Sequence, residues 1–420
     1  MMNPMQLKHT AAVLADVLTF RQPADAVVSA YFRRERKLGR QDRHEIAETV
    51  FAAVRHGQKI SAVLPRPHNQ PRRAALAALV LGRSVNLSAL ADVADEEDMA
   101  FLAEVKARKS EFSGSLNTAA ELPQWLIDTM RADGFDDDAV LAFGRSVVQG
   151  APLDVRVNTL KGRRDKILAA LQAEGLACSA TPYSPWGIRF ADKPALNKHP
   201  LFLDGTLEVQ DEGSQLLALL TGVKRGQMAV DFCAGAGGKT LAMGAMMHGS
   251  GRLYALDVAE KRLANLKPRM VRAGLTNIHP QRIESEHDAR IGKLSGKADC
   301  VLVDAPCSGL GTLRRNPDLK YSQSADSVAA WRAQQHTIWQ AAARLVQPQG
   351  RLVYATCSIL PQENEAQIER FLVENPGWQP RDCRLILADN KIDLDTGVYL
   401  RLNTAAHGSD GFFAAVLERS

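Results

Sequence analysis

No run of about 18 uninterrupted apolar residues occurs in the chain, so no segment reads as a membrane span. The first twenty residues carry Asp16 inside their apolar stretch and lack a small-residue cleavage site, so they do not read as a secretory leader. These absences point to a cytoplasmic protein. Cysteine is scarce and scattered. Cys178, Cys233, Cys300, Cys307, Cys357 and Cys383 form no CxxC pair, which argues against a zinc knuckle or other metal site. In a reducing compartment it also argues against a disulfide framework, and most of the six are expected to be buried small hydrophobes. Internal repeats and low-complexity tracts are missing too. Neither sign of charge dominates: 52 Lys and Arg face 47 Asp and Glu, and a net charge of +5 fits a polyanionic partner without requiring one. What remains, 45% hydrophobic and 24% charged residues over 420 positions, is a globular composition with room for roughly two to four domains.

Three regions follow from the pattern. Residues 1–150 read as amphipathic helices ("AAVLADVL", "HEIAETVFAAVRH") with a dense basic cluster in "YFRRERKLGRQDRHE". Residues 151–206 alternate as a strand in "DVRVNTL", turn helical in "RRDKILAALQAEG" and return to a turn and strand in "ACSATPYSPWGIRFA", a small α+β module. From 207 to 420 the order is strand, glycine turn, helix, strand, through "QMAVDF", "AGAGGK", "RLYALDV", "ADCVLVDAP" and "GRLVYATCS". That alternation predicts a parallel, doubly wound sheet with its ligands at the carboxyl ends of the strands.

The glycine turn "VDFCAGAGGKT" lacks what two common phosphate binders need. The P-loop pattern requires glycine where Cys233 stands, and the dinucleotide pattern, met at Gly235 and Gly237, requires glycine where Thr240 stands. Asp257, at the end of the next strand, is placed to accept hydrogen bonds from ribose hydroxyls. S-adenosylmethionine, which needs backbone contacts and carboxylates but no phosphate cradle, is the ligand that fits; a tight turn that binds nothing is the alternative.

Cys307 and Cys357 each follow an apolar strand, so two thiols stand where such a sheet presents its active site. Methylating C5 of a pyrimidine needs a thiol. That carbon is a poor nucleophile until a thiolate adds at C6 and turns the ring into an enamine, and a carboxylic acid at N3, for which Asp304 is the candidate, stabilises the adduct. The C5 proton must then leave and the thiolate be expelled, which gives a second residue work. Both cysteines are thereby occupied, and this chemistry does not rank them. Methylation of an adenine amino group would favour a D-P-P-[YF] loop, whose fourth position here is Cys307.

Taken together and in order, "DFCAGAGGKT", "DAPCSGLGTLRRNPD", "ATCSILPQENE" and "HGSDGFFAAVLER" resemble the Sun/RsmB family of RNA (cytosine-5) methyltransferases, and "RVNTLK" with "VQDEGSQ" resembles the RNA-binding module that precedes the catalytic domain there. The resemblance implies an α/β Rossmann-like methyltransferase domain with a doubly wound sheet. It implies that Cys357 is the nucleophile and that Cys307 assists release of the product. Methyl-donor contacts are carried over onto Cys233, Ala234, Gly235, Ala236, Gly237, Gly238 and Lys239, and onto Asp257, Asp288 and Asp304. Ala236 stands where many members have proline. The amino-terminal stretch "KLGRQDRHEIAETVFAAVRH" resembles the NusB-like helical domain of some bacterial members. Arg156, Asn158, Lys161, Arg314 and Arg315 are candidate RNA contacts, with ordinary surface charge as the alternative reading.

The expectation is a monomeric, cytoplasmic RNA (cytosine-5) methyltransferase using S-adenosylmethionine on ribosomal RNA, with transfer RNA as the other possible substrate and no membrane partner. A non-catalytic RNA-binding or ribosome-assembly factor is the rival from another class, and it would not need the thiols and the donor loop together. A nicotinamide-dependent dehydrogenase would leave both thiols unexplained.

Overall fold

The structure is a computed structural model that describes residues 2–420. It divides into two compact units, one comprising the chain up to Gly150 with Thr312–Ser327, the other Ala151–Gly311 with Val328–Ser420.

The first unit is helical. Its centre is the helix Pro71–Leu81, in which every residue from Ala74 to Val80 is at most 2% exposed. A helix apolar around its whole circumference has to be surrounded, and the helices Pro4–Val17 and Arg40–Arg55 supply Leu7, Leu14, Ile46 and Val50 to that core. Asn3 and Gln6 form a capping box that satisfies the first helix's leading amides. Thr312–Ser327, expected from the sequence to belong with the sheet, is held inside this unit instead. Lys320, 2% exposed, donates from Nζ to the carbonyls of Arg55 at 2.8 Å and Glu121 at 2.7 Å. Burial draws its pKa down to about 8. Asp318 accepts from the amide of Ala24 at 3.2 Å, and the Trp125 indole donates to the Lys320 carbonyl at 3.0 Å.

The second unit holds two sheets. The smaller is antiparallel, ordered β2-β3-β1-β4 from β1 (Leu153–Val157), β2 (Cys178–Ala180), β3 (Gly187–Phe190) and β4 (Leu207–Val209). The helix Arg164–Ala173 sends Leu171 into a core with Val155, Val157, Ile188 and Phe190. Because β4 pairs with β1, this sheet runs one strand past residue 206.

The larger sheet is Rossmann-like. Its strands are β5 (Met228–Asp231), β6 (Arg252–Asp257), β7 (Ile278–Arg282), β8 (Ala298–Asp304), β9 (Val346–Thr356), β10 (Trp378–Arg381), β11 (Leu400–Leu402) and β12 (Phe412–Arg419). The order is β10-β12-β9-β8-β5-β6-β7, with β11 on β12. Strands β5 to β9 are parallel, and the order reverses between β5 and β8, which opens a crevice beyond their carboxyl ends. The expectation of a parallel sheet fails at β12, which runs antiparallel to β9 and β10. The chain reaches β12 from the carboxyl end, where the Gly411 amide donates to Gly311 at 2.8 Å, so the strand can only run back. Its "FFAAVL" run is buried on both faces. Among the described residues, no helix is long and apolar enough to cross a membrane.

Candidate active site

Four strand ends converge on the crevice. After β5 the backbone turns through Gly235 and Gly237, at φ +55° and +83°, values that an L side chain rarely adopts. At Gly237 a Cβ would also strike Leu266, whereas over Gly235 there is open space to at least 4 Å. The turn opens the helix Gly238–Met246 and is pinned from the next strand. Asp257, at the end of β6, accepts from the Gly235 amide at 2.7 Å and from the Ala259 amide at 2.6 Å, which fixes its carboxylate against the loop. Asp231, at the end of β5, accepts from Thr240 Oγ1 at 2.6 Å, its other oxygen is unpartnered, and burial raises its pKa to about 7.

Beside the loop, Lys239 Nζ lies 2.6 Å from Asp304 at the end of β8. Burial is the largest influence on this ammonium and would lower its pKa. The charge and hydrogen bond of Asp304, with Cys357 and Asp231 adding to them, outweigh burial and leave it above its ordinary value.

Cys307 and Cys357 are fifty positions apart in sequence but follow adjacent parallel strands, and their sulfurs lie 3.4 Å apart. The Gly311 amide donates to the Cys357 carbonyl at 2.9 Å and ties the two loops together. The hydrogen bond between Cys307 and Cys357, then burial, then the nearby charges of Cys357 and Glu363 push the Cys307 thiol well above its usual range. Cys233 is raised as well, by burial and then by the carboxylates of Asp231, Asp304 and Asp257, so this third thiol near the site is a poor nucleophile. Only Cys300 and Cys383 are fully buried, so the expectation that most of the cysteines are core filler holds for two of them.

Other expected residues are engaged by neighbouring groups. Asp288 caps a short helix, accepting from the amides of Glu284 and Arg290 at 2.9 Å each. The Arg290 guanidinium holds its carboxyl well below the usual carboxylate range. Arg156 and Asn158, expected among the RNA contacts, are each 3% exposed and cannot present themselves to a phosphate from these positions. Arg156 donates to Gln210 at 2.6 Å, and burial lowers its pKa to about 10. Asn158 donates to the Ala273 carbonyl at 2.9 Å, tying the end of β1 to the helix Leu266–Ala273. Lys161 is exposed but spends its ammonium on the carbonyls of Asp204 and Arg272, the latter at 2.9 Å. Arg314 is buried in the helical unit, its carbonyl accepting from Arg55 at 3.3 Å, and Arg315 is half-buried. Sequence reasoning missed Arg269, which donates to the Ala236 carbonyl of the glycine loop and pairs with Glu208 of β4 at 3.2 Å. No spacing rule would have found a contact between a helix and a loop more than thirty positions away.

Residues 218–418 match the family described as 16S rRNA methyltransferase RsmB/F, and residues 122–197 match the RsmF/B-like ferredoxin-like domain. The chain is 32% identical over 309 residues to the probable ribosomal RNA small subunit methyltransferase B of Synechocystis sp., covering 73% of this chain and 68% of the relative. It is 32% identical over 297 residues to ribosomal RNA small subunit methyltransferase B of Pseudomonas syringae, covering 70% and 65%. Among solved structures, PH0851 shares the fold with a TM-score of 0.79 over 100% of this chain and 99% of its own, at 23% identity. Identity at this level over more than two thirds of both chains, with a family match that spans the glycine loop and both thiol loops, makes this chain a member of the RsmB/F family of 16S rRNA methyltransferases.

Proposed function

We propose that this S-adenosylmethionine-dependent rRNA methyltransferase makes 5-methylcytosine through a covalent adduct on Cys357. The observation that carries the reading is the pair of thiols 3.4 Å apart at adjacent strand ends, beside the Lys239–Asp304 ion pair. The open space over Gly235 and the carboxylates of Asp257 and Asp304 fit a donor bearing ribose hydroxyls and an ammonium group but no phosphate. Bound there, S-adenosylmethionine supplies an electrophilic methyl group on a sulfonium.

The residues then divide the work. The Cys357 sulfur forms a bond to C6 of cytosine as a proton passes to N3 from the Lys239–Asp304 pair, which takes it back when the S–C6 bond breaks. The C5=C6 electron pair becomes available at C5, which would form the new carbon–carbon bond as the donor's S–CH3 bond breaks and that electron pair stays on its sulfur. Once Cys357 is bonded to carbon its sulfur no longer holds the Cys307 proton by a hydrogen bond, and the largest cause of the raised Cys307 pKa is gone. Cys307 can then give up its own proton to solvent and take up the C5 proton as the S–C6 bond breaks and Cys357 leaves with its electron pair. The target base has to leave its stack to reach both sulfurs. Bisulfite mapping of small-subunit ribosomal RNA and transfer RNA, from cells with and without the protein, tests the reading. A cytosine in ribosomal RNA that is protected only when the protein is present supports it. Protection confined to transfer RNA would move the substrate, and no protected cytosine would remove the activity.

Asp257→Ala is expected to weaken binding of S-adenosylhomocysteine by about 1 to 3 kcal/mol, because both the ribose and the loop amides lose their acceptor. Calorimetric titration checks this, and unchanged affinity in a folded variant takes Asp257 out of the site.

Arg33, Arg34, Arg36, Lys37 and Arg40 are exposed along the end of one helix, the following turn and the start of the next, and we assign them to RNA backbone. Neutralising a phosphate releases counterions, so removing one of these cations should flatten the log-log dependence of affinity on salt by roughly 0.7 to 0.9. Arg33→Ala/Arg34→Ala/Arg36→Ala should therefore bind RNA with a shallower salt slope, its helices intact by circular dichroism. An identical slope would assign the cluster to another partner.

A further inference from the structure

Each reactive cysteine is followed by a serine, and both serine hydroxyls end on one carboxylate. Glu363, 0% exposed, stands in the turn after β9. Its Oε2 accepts from Ser308 Oγ and from Ser358 Oγ, both at 2.5 Å. Its Oε1 accepts from the Ser308 amide at 2.9 Å and from Gln335 Nε2 at 3.0 Å. That same Gln335 nitrogen donates to the carbonyl of Pro306, the residue before Cys307, at 2.9 Å. The turn is fixed in its own right: Tyr354 donates its hydroxyl to the Glu363 carbonyl at 2.7 Å, and Asn364 bonds Thr356 Oγ1 at 2.5 Å and the Ser358 carbonyl at 3.1 Å. Cys307 and Cys357 are thus gripped on both sides by hydrogen bonds that lead to two consecutive residues.

A buried carboxylate is costly unless its lone pairs are filled, and here four donors fill them. The number matters. An ionised carboxylate is acceptor-only and can take all four, whereas a glutamine amide of the same shape offers one accepting atom and turns its NH2 toward groups that also donate. The site therefore calls for a carboxylate, and its effect is to set the spacing of the two loops, which the Gly311–Cys357 backbone bond and a Ser308–Ser358 hydroxyl contact at 3.3 Å also join.

We propose that Glu363 is a positioning residue for methyl transfer, holding the Cys307 and Cys357 loops in register through Ser308 and Ser358 so that both sulfurs can serve one cytosine. The inference rests on the two-thiol reading above. Displacing a reacting group by about 1 Å costs on the order of 100-fold in rate, so Glu363→Gln is expected to lower kcat by about 100-fold with little change in KM for RNA. Affinity for S-adenosylhomocysteine, measured by calorimetry, should not change, because the donor loop is pinned by Asp257 and not by Glu363. A residue that only supported the fold would move all three quantities together.

The serines provide the second arm. Ser308→Ala/Ser358→Ala should lose about as much kcat as Glu363→Gln, and the triple variant should lose about 100-fold and not the roughly 10,000-fold that independent sites would give. Multiplying losses, an unchanged kcat in Glu363→Gln, or a loss of S-adenosylhomocysteine binding in parallel with kcat would each overturn the inference. Failure of the two-thiol reading is separate: it would appear as activity surviving in Cys357→Ala, whatever Glu363 does.

Discussion

Cys357→Ala is expected to lose methylation by on the order of 10,000-fold or more and to leave no covalent RNA complex on a denaturing gel, while Cys307→Ala accumulates one. The asymmetry follows from what each sulfur does at each stage. Without Cys357 nothing adds to C6, so C5 never becomes nucleophilic and no bond to RNA forms. Without Cys307 addition and methyl transfer both proceed, but the C5 proton has lost its acceptor and the adduct persists. Cys233 is the internal control. It lies half-buried near the same strand ends, and Cys233→Ala should still form the adduct and release it at saturating methyl donor. The measurement is a denaturing gel of each variant after incubation with substrate RNA and methyl donor, next to a tritium-release assay for the C5 hydrogen. Adduct in Cys357→Ala and none in Cys307→Ala would exchange the two roles.

How much of this site could be read in the sequence depended on how local each signal was. The glycine turn, Asp257 and the two strand-end thiols were legible because a strand, its following loop and the next helix are contiguous, and because a doubly wound sheet gathers strand ends whatever their separation along the chain. Cys307 and Cys357 meet only because β8 and β9 are neighbours, and the alternation of elements implied that. Burial of charge was not legible. Arg156 sits in an alternating strand beside Asn158 and looks like a surface cation, yet it lies 3% exposed against Gln210, a partner 54 positions away. Arg314 and Arg315 read as part of the thiol loop, but the chain leaves the sheet at Gly311 and packs Lys320 into the helical unit, where backbone carbonyls take up its charge. Periodicity says which face of an element is covered, not which body covers it. Glu363 was hidden for a further reason: a glutamate in a polar turn, "PQENE", carries no mark of burial, and only the two serines after the two cysteines hint that something must hold them.

The ion pair at the end of β8 allows a test in which pH separates two roles that a single rate would merge. Asp304→Asn is expected to reduce kcat by about 100- to 10,000-fold, the range for removing a positioned proton-holding group. Its effect on Lys239 gives the second readout. In the intact site Asp304, 2.6 Å from Nζ, outweighs burial and keeps the Lys239 pKa above its ordinary value. Asparagine removes that charge, burial then dominates, and the pKa falls. A group whose pKa is raised by its partner stays protonated to higher pH with the partner than without it. The residual activity of Asp304→Asn should therefore decline at lower pH on the alkaline side than that of the wild type, if the Lys239 proton is the one supplied to N3. Single-turnover adduct formation measured from about pH 7 to pH 10 isolates this step from product release. Lys239→Met should lose the alkaline limb altogether while keeping Asp304. An Asp304→Asn profile that is scaled down with its alkaline limb unmoved would mean that Asp304 orients the base by hydrogen bonding alone, and that the proton at N3 comes from elsewhere.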